Sequence, residues 1–498
     1  MSPGLILTCI GGYFGFLLLI AWFTSRNATN AAYFLGNKAS PWYAVAFGMI
    51  GDSLSGVTFI SVPGWVGTSQ FSYLQMVFGY VVGYAVIAGV LLPLYYRLNL
   101  VSIYSYLRGR FGAHSQRTGS AFFLLSRTVG AAARLYLAAG VIQAAVFDAW
   151  GVPFALTVTA IIGLMLLYTF KGGIRTLVWT DTFQSAFLLI GLFLSIAAIA
   201  FQLGLGPGAL IATVHASPHA QVFFWDWLSE KNFWKQFAGG AVVAVCMTGL
   251  DQNMMQKNLS CRSLADAQKN IYWFSVVVVL VNVLFLSLGA LLYYYAGNRG
   301  IAIPEKTDNL FPLLALHHLG GLAAVVFVLG LTAATFSSAD SVLTTLTTSF
   351  CIDILAVDKN SRWTEARKTE LRHWAHIAFA AALLAVILIF EAVGSPAVIQ
   401  LIFKLANYTY GPLLGLFAFG LFWRREVLDR SVPFVCLLAP IICYLLDENS
   451  VAWFGGYRFG NELLVVNALL TCGGLWLVGP GARSAARPEI RAAKRSRD

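Results

Sequence analysis

The sequence predicts an all-α protein that crosses a lipid bilayer about thirteen times. Three observations carry this. Only 11% of the 498 residues are charged and 58% are hydrophobic, whereas a soluble protein of this size carries roughly a quarter charged residues. Apolar runs long enough to span a hydrocarbon core of ~30 Å recur along nearly the whole chain. The remaining Lys and Arg residues gather in alternate loops.

The runs fall near 3–24, 42–68, 73–96, 118–148, 152–170, 178–202, 235–256, 271–296, 321–352, 373–394, 398–423, 431–447 and 461–480. The first lacks the preceding basic residues and the small-residue cleavage site of a signal peptide, so it is expected to be a retained helix. The run at 321–352 is long enough that part of it is expected to tilt or stand apart. The longest loop, about 203–234, has room for a short surface helix. No loop is long enough for a soluble catalytic domain, so residues 1–480 read as a single transmembrane domain. Residues 481–498 form a basic tail, read as a disordered cytoplasmic end that fixes topology. The seven cysteines, Cys9, Cys246, Cys261, Cys351, Cys436, Cys443 and Cys472, are scattered without a C-x-x-C pair. They read as buried inert thiols, with neither a disulfide framework nor a zinc site.

Charge sets the orientation. With the N-terminus outside, the inward loops and the tail hold most of the 33 basic residues, and the outward loops hold only Lys231, Lys235, Arg299, Lys306 and Arg458. Lys257 falls with the inward group. Arg127, Arg134 and Lys404 lie within spans. The net charge of +11 thus follows the positive-inside pattern of a cell-membrane protein, not nucleic-acid binding.

Carriers need helices broken at mid-membrane, because unwound backbone frees carbonyls for ions. The second span reads Gly48-Met49-Ile50-Gly51-Asp52-Ser53-Leu54-Ser55-Gly56-Val57-Thr58, then Ser61-Val62-Pro63-Gly64. A charge inside an apolar helix and a Gly/Ser cluster predict unwinding near Gly51 to Gly56. Gly48 and Gly64 read as packing positions. The seventh span ends Asp251-Gln252-Asn253-Met254-Met255-Gln256-Lys257. Asp251 and Gln252 either line a substrate path or mark a helix end in cytoplasmic water, and Lys257 reads as such an end. On the ninth span Ala334, Ser337, Ser338 and Ser341 share one helical face beside Asp340. Hydroxyl and carbonyl oxygens with a nearby carboxylate suit a small hard cation. Asp181 is either an interfacial cap or, with that face opposite, part of a second cation site.

Together these segments resemble the sodium/solute symporter family, which includes sodium-coupled glucose, proline, iodide and sialic acid carriers. The resemblance covers about residues 1 to 480. It rests on Ser55-Gly56 with Pro63-Gly64, Trp179-Thr180-Asp181 with Gln184, Asp251-Gln252 with Gln256, and Ala334 through Ser341. It implies two inverted repeats of five helices, about 42–202 and 235–423, with a discontinuous first core helix. It implies a main sodium site of the Gly51, Leu54, Ala334 and Ser337 carbonyls and the Ser338 hydroxyl. Gly51 replaces the family's usual Ala. A second sodium site, present in some members, would match Asp181, Ser337, Asp340 and Ser341, although Asp340 stands where such members carry a hydroxyl. The implied activity is sodium-coupled import of a small polar solute by alternating access, with Na⁺, the solute and the bilayer as the only partners.

The substrate is less defined. Arg134 lies mid-span and needs an anion or carbonyls. Sialic acid carriers of this family hold the carboxylate with an arginine on the corresponding helix, which points to a sugar acid or monocarboxylate. The alternative is a structural pair with Asp52 or another internal carboxylate. Arg127 is expected to snorkel to the boundary. Asp52, Ser55, Thr58, Asp251, Gln252, Lys404 and Tyr408 complete the candidate substrate set, with Asn407 and Tyr410 beside them. A sodium/sugar symporter, a channel and a sensor on the same fold remain alternatives. No H-E-x-x-H, G-x-S-x-G or phosphate-cradling loop marks an enzyme.

Overall fold

A computed structural model describes residues 3–26, 29–394, 404 and 408–479. Among these, all regular structure is helical apart from one β-bridge between Ser40 and Cys261. The basic tail and the first part of the eleventh predicted span, including Asn407, lie outside the described residues.

The apolar runs become helices close to their predicted limits. Helix α1 is Pro3–Thr24. The second span is two helices, α2 (Trp42–Ser53) and α3 (Gly56–Ser69), bent by 59°. Then come α4 (Tyr73–Arg97), α5 (Ala113–Trp150), α6 (Phe154–Gly172) and α7 (Ile174–Leu203). The seventh span is also broken, into α8 (Phe233–Gly249) and α9 (Gln252–Leu259), at 63°. This differs from the expected helix end. Leu250 and Asp251 leave helical geometry, and Asp251 then caps a new helix. The remaining long helices are α10 (Leu264–Arg299), α11 (Gly321–Ile354), α12 (Glu365–Val393), α13 (Tyr410–Phe422), α14 (Val432–Glu448) and α15 (Leu463–Leu477). A surface helix, Pro207–His215, occupies the loop where one was expected. Each expected half of the core therefore begins with a broken helix.

The most enclosed of the unbroken spans is α11, whose apolar stretch is 78% buried, against 22% for the peripheral α14. Lipid tails are as apolar as Leu, so hydrophobicity does little to pull helices together, and close approach of small residues does the work. Helices α4 and α8 show it: a Cβ on Gly79 would lie 2.0 Å from Phe237 O, and one on Gly240 2.1 Å from Met76 O. Helix α1 docks on the core edge through aromatic contacts, with ring centroids 5.4 Å apart for Tyr13–Phe187 and 4.6 Å for Phe14–Phe336. Gly48 and Gly64 are packing positions, against Asp181 and the backbone of Thr307. Five of the cysteines, Cys246, Cys261, Cys351, Cys436 and Cys443, are buried.

Candidate functional site

The break between α2 and α3 is built by Leu54 and Ser55. Leu54 N–H closes the last turn of α2 onto Ile50 O at 2.8 Å, and the next ladder bond is Phe59 N–H to Ser55 O at 3.0 Å. The last carbonyls of α2, Gly51 among them, and that of Leu54 thereby lose the amides that a continuous helix would offer them. Two glycines bring this break onto α11. A Cβ on Gly56 would meet Thr335 Oγ1 at 2.1 Å, and a Cβ on Gly51 would meet Ser337 Oγ at 2.5 Å and Ser185 Oγ at 2.9 Å. Gly51 N–H donates to Ser185 Oγ at 2.9 Å. The unwound end of α2 and the hydroxyl face of α11 thus meet directly.

On α11, Ala334, Ser337 and Ser338 are all buried. Ser338 Oγ donates to Thr335 O at 3.0 Å. Ser337 Oγ is buried with no hydrogen-bond partner among the described residues. An unsatisfied hydroxyl is costly in such a place. With the freed α2 carbonyls beside it, the oxygen set fits Na⁺.

A cavity of about 120 Å³ adjoins the break. Asp52, Ser53 and Leu54 form one wall, Arg127 and Arg134 of α5 another, and Thr248 of α8 and Asn282 of α10 contribute polar atoms. Tyr73, Tyr80 and Tyr84 of α4 close the remaining side. Arg134 has no hydrogen-bond or ion-pair partner among the described residues. Ser55 and Thr58 do not line the cavity.

The other charged candidates are arranged differently from expectation. Arg127 does not snorkel. Its Nε pairs with Asp251 Oδ2 at 2.6 Å with both side chains buried, and Nη2 donates to Met247 O at 3.3 Å. A guanidinium this deep in a membrane needs a carboxylate, and the break in the seventh span delivers one. Asp251 Oδ1 meanwhile caps α9 by accepting from Asn253 N and Met254 N at 3.0 and 3.3 Å, and Tyr410 OH donates to Oδ2 at 3.4 Å. Gln252 braces a neighbouring loop, accepting from Ile103 N at 2.8 Å and donating to Val101 O at 2.9 Å. Asp251 and Gln252 are thus neither cavity walls nor a wet helix end.

Lys404 and Tyr408 face away from the cavity. Lys404 Nζ pairs with Asp447 at 2.6 Å and Glu448 at 2.9 Å in a half-exposed cluster, and Tyr408 OH donates to Asp447 Oδ2 at 2.7 Å. Of the expected second cation site, Asp181 and Ser341 meet directly, while Asp340 is bonded to other side chains. Asp340 Oδ2 accepts from Tyr168 OH at 2.6 Å and Gln184 Nε2 at 3.5 Å, while Asp181 Oδ2 accepts from Ser341 Oγ at 3.1 Å.

Sequence reasoning missed Lys257. Read as a helix end in cytoplasmic water, it is instead fully enclosed, its Nζ bonded to both Asp52 and Asp181. The available signal was electrostatic: two carboxylates placed inside spans demand a cation. The tyrosines of α4, Thr248 and Asn282 carried no such signal, since isolated polar residues on apolar helices are common.

Residues 33–428 match SSF, the sodium:solute symporter family. The sodium/sialic acid symporter NanT of Aliivibrio fischeri is 24% identical over 92% of this chain and 91% of its own length. Sodium-coupled monocarboxylate transporter 1 of Xenopus laevis is 24% identical over 91% of this chain and 70% of its own. A Na⁺-coupled sialic acid symporter, solved in a substrate-bound outward-open state, superposes with a TM-score of 0.80 at 22% identity, covering 95% of this chain and 97% of that one. At this identity the likeness speaks for the fold.

Proposed function

The chain belongs to the sodium:solute symporter family, a family of membrane transporters, and we propose that it imports a small organic anion, a sugar acid or a monocarboxylate, together with sodium. The observation that carries the anionic class is Arg134. It presents a guanidinium to the cavity beside the helix break, with no ion pair to any described carboxylate. A cation held at mid-membrane without an ion pair is expensive, and a substrate carboxylate bound in two-point fashion relieves the cost. Both named relatives, a sialic acid carrier and a monocarboxylate carrier, move carboxylates.

The main sodium ion is assigned to the Gly51, Leu54, Ala334 and Ser337 carbonyls and the Ser338 hydroxyl. The support is the direct apposition of Gly51 with Ser337 and the unpartnered Ser337 Oγ. Sodium there ties α2 to α11. Affinity that differs between the outward and inward arrangements is what couples ion to solute. The positive-inside count supports an outside N-terminus and a cytoplasmic tail, so a reporter fused after Asp498 is expected to be active only on the cytoplasmic side.

The test is a thermal-shift panel of sugars, sugar acids, amino acids and monocarboxylates, with and without sodium. A carboxylate-bearing solute is expected to raise Tm only when sodium is present. Arg134→Gln is expected to abolish the solute's shift and keep sodium's own. A neutral sugar that stabilises wild type and Arg134→Gln equally would overturn the anionic reading.

A further inference from the structure

Two intramembrane carboxylates on different helices, Asp52 of α2 and Asp181 of α7, converge on one point, and a third helix fills it. Lys257, from the inner half of the broken seventh span, bonds Asp52 Oδ2 and Asp181 Oδ2 through its Nζ, with its side chain 1% exposed and both carboxylates at 0%. Ser341 of α11 donates to the same Asp181 oxygen at 3.1 Å. The second oxygens, Asp52 Oδ1 and Asp181 Oδ1, are buried without a hydrogen-bond partner among the described residues. Two carboxylates and a serine face are the hard oxygen donors that a sodium ion takes. Here an ammonium group stands among them.

This is not an ordinary structural pair. Arg127 and Asp251 show what one looks like in this protein: one cation for one carboxylate, with the other carboxylate oxygen used up by a helix cap. The Lys257 group has two carboxylates for one cation, and oxygen valences left over. One of its carboxylates, Asp52, also lines the substrate cavity. Without a positive charge between them, the two carboxylates would repel each other in a medium that screens poorly.

We propose that Lys257 is a tethered cation that takes the place of a second sodium ion between Asp52 and Asp181, so that this carrier moves one sodium per solute. The proposal rests on the sodium-coupled reading above and specifies its stoichiometry. A lysine supplies the same +1 charge in every state of the cycle and never dissociates. It holds α2, α7 and α9 together as an ion would, yet draws nothing from the sodium gradient. Removing the side chain leaves the carboxylates, the Ser341 hydroxyl and the space of a lysine stem, which a sodium ion from solution then fills.

The experiment counts bound ²²Na⁺ per chain at saturation on the purified full-length protein. Wild type is expected to bind one ion, with affinity strongly weakened in Ser338→Ala. Lys257→Ala is expected to bind two, and Lys257→Ala/Asp181→Asn one again. A folded Lys257→Ala that still binds one overturns the proposal. Where Lys257→Ala does not fold, wild type and Asp181→Asn decide: one ion in each supports the tethered cation, whereas two in wild type falling to one in Asp181→Asn overturns it and leaves sodium coupling intact. No bound sodium in wild type removes the sodium-coupled reading itself.

Discussion

Arg127 and Asp251 both lie near the cavity, and their roles are separable by energy. Replacing Arg127 with Met keeps the apolar stem and removes the guanidinium bonded to Asp251 at 2.6 Å. Asp251 then retains the cap bonds from Asn253 and Met254 on Oδ1 and only the long Tyr410 contact of 3.4 Å on Oδ2. Breaking a buried pair from one side costs about 3–5 kcal/mol, because a charge is left uncompensated. The surviving cap bonds place this case near the lower end, about 3 kcal/mol. Asp251→Asn keeps an acceptor for the cap but strands the guanidinium, whose remaining contact is Met247 O at 3.3 Å, so a similar loss is expected. In Arg127→Met/Asp251→Asn no charge is left behind. A double-mutant cycle read by reversible unfolding in detergent should therefore return a coupling energy of about 2–3 kcal/mol. Additive losses, or single variants of native stability that have lost solute binding, would show that the pair serves substrate and not the fold.

Gly56→Ala forces a Cβ to within 2.1 Å of Thr335 Oγ1, which is itself buried and bonded to Leu331 O at 2.8 Å. Overpacking of this kind costs about 1–3 kcal/mol, and because it pushes the break away from α11, sodium affinity measured by ²²Na⁺ binding should fall about tenfold, or 1.4 kcal/mol. Lys404→Gln removes a half-exposed pair with Asp447 and Glu448; stability should change by about 0–1 kcal/mol and solute affinity not at all, and a large rise in solute Kd would return Lys404 to the cavity. One sodium with one monovalent anion moves no net charge. Uptake into vesicles should then ignore an imposed potential, whereas a second moving cation would gain about 2.3 kcal/mol per 100 mV, roughly fiftyfold in accumulation.

The fold was legible because its signals are local. A span announces itself by a continuous apolar window, and α1, α11 and α14 begin and end within a few residues of their runs. The first break was also legible, since Gly51, Asp52, Ser55 and Gly56 put a charge and three small residues inside such a window. The second break was not. Met247 through Leu250 look like ordinary helix, and the polar stretch from Asp251 onward reads as the end of a span. That the chain instead bends by 63° and continues inward as α9 depends on Asp251 finding Arg127, 124 residues away in sequence.

Charge pairing is where a window fails and a count succeeds. Each intramembrane acid was legible alone: Asp52, Asp181, Asp251 and Asp340 all stood inside or at the edge of apolar runs. Against these four carboxylates the sequence reading allowed Arg127, Arg134 and Lys404 within spans, and Arg127 was sent to the boundary. Four buried negative charges against two positive ones is not a stable arrangement in hydrocarbon, whatever the ions in solution. The nearest remaining base was Lys257, six residues past Asp251 and excluded only because hydropathy falls there. A hydropathy minimum is therefore weak grounds for placing a lysine in water when unpaired carboxylates lie in the adjoining spans.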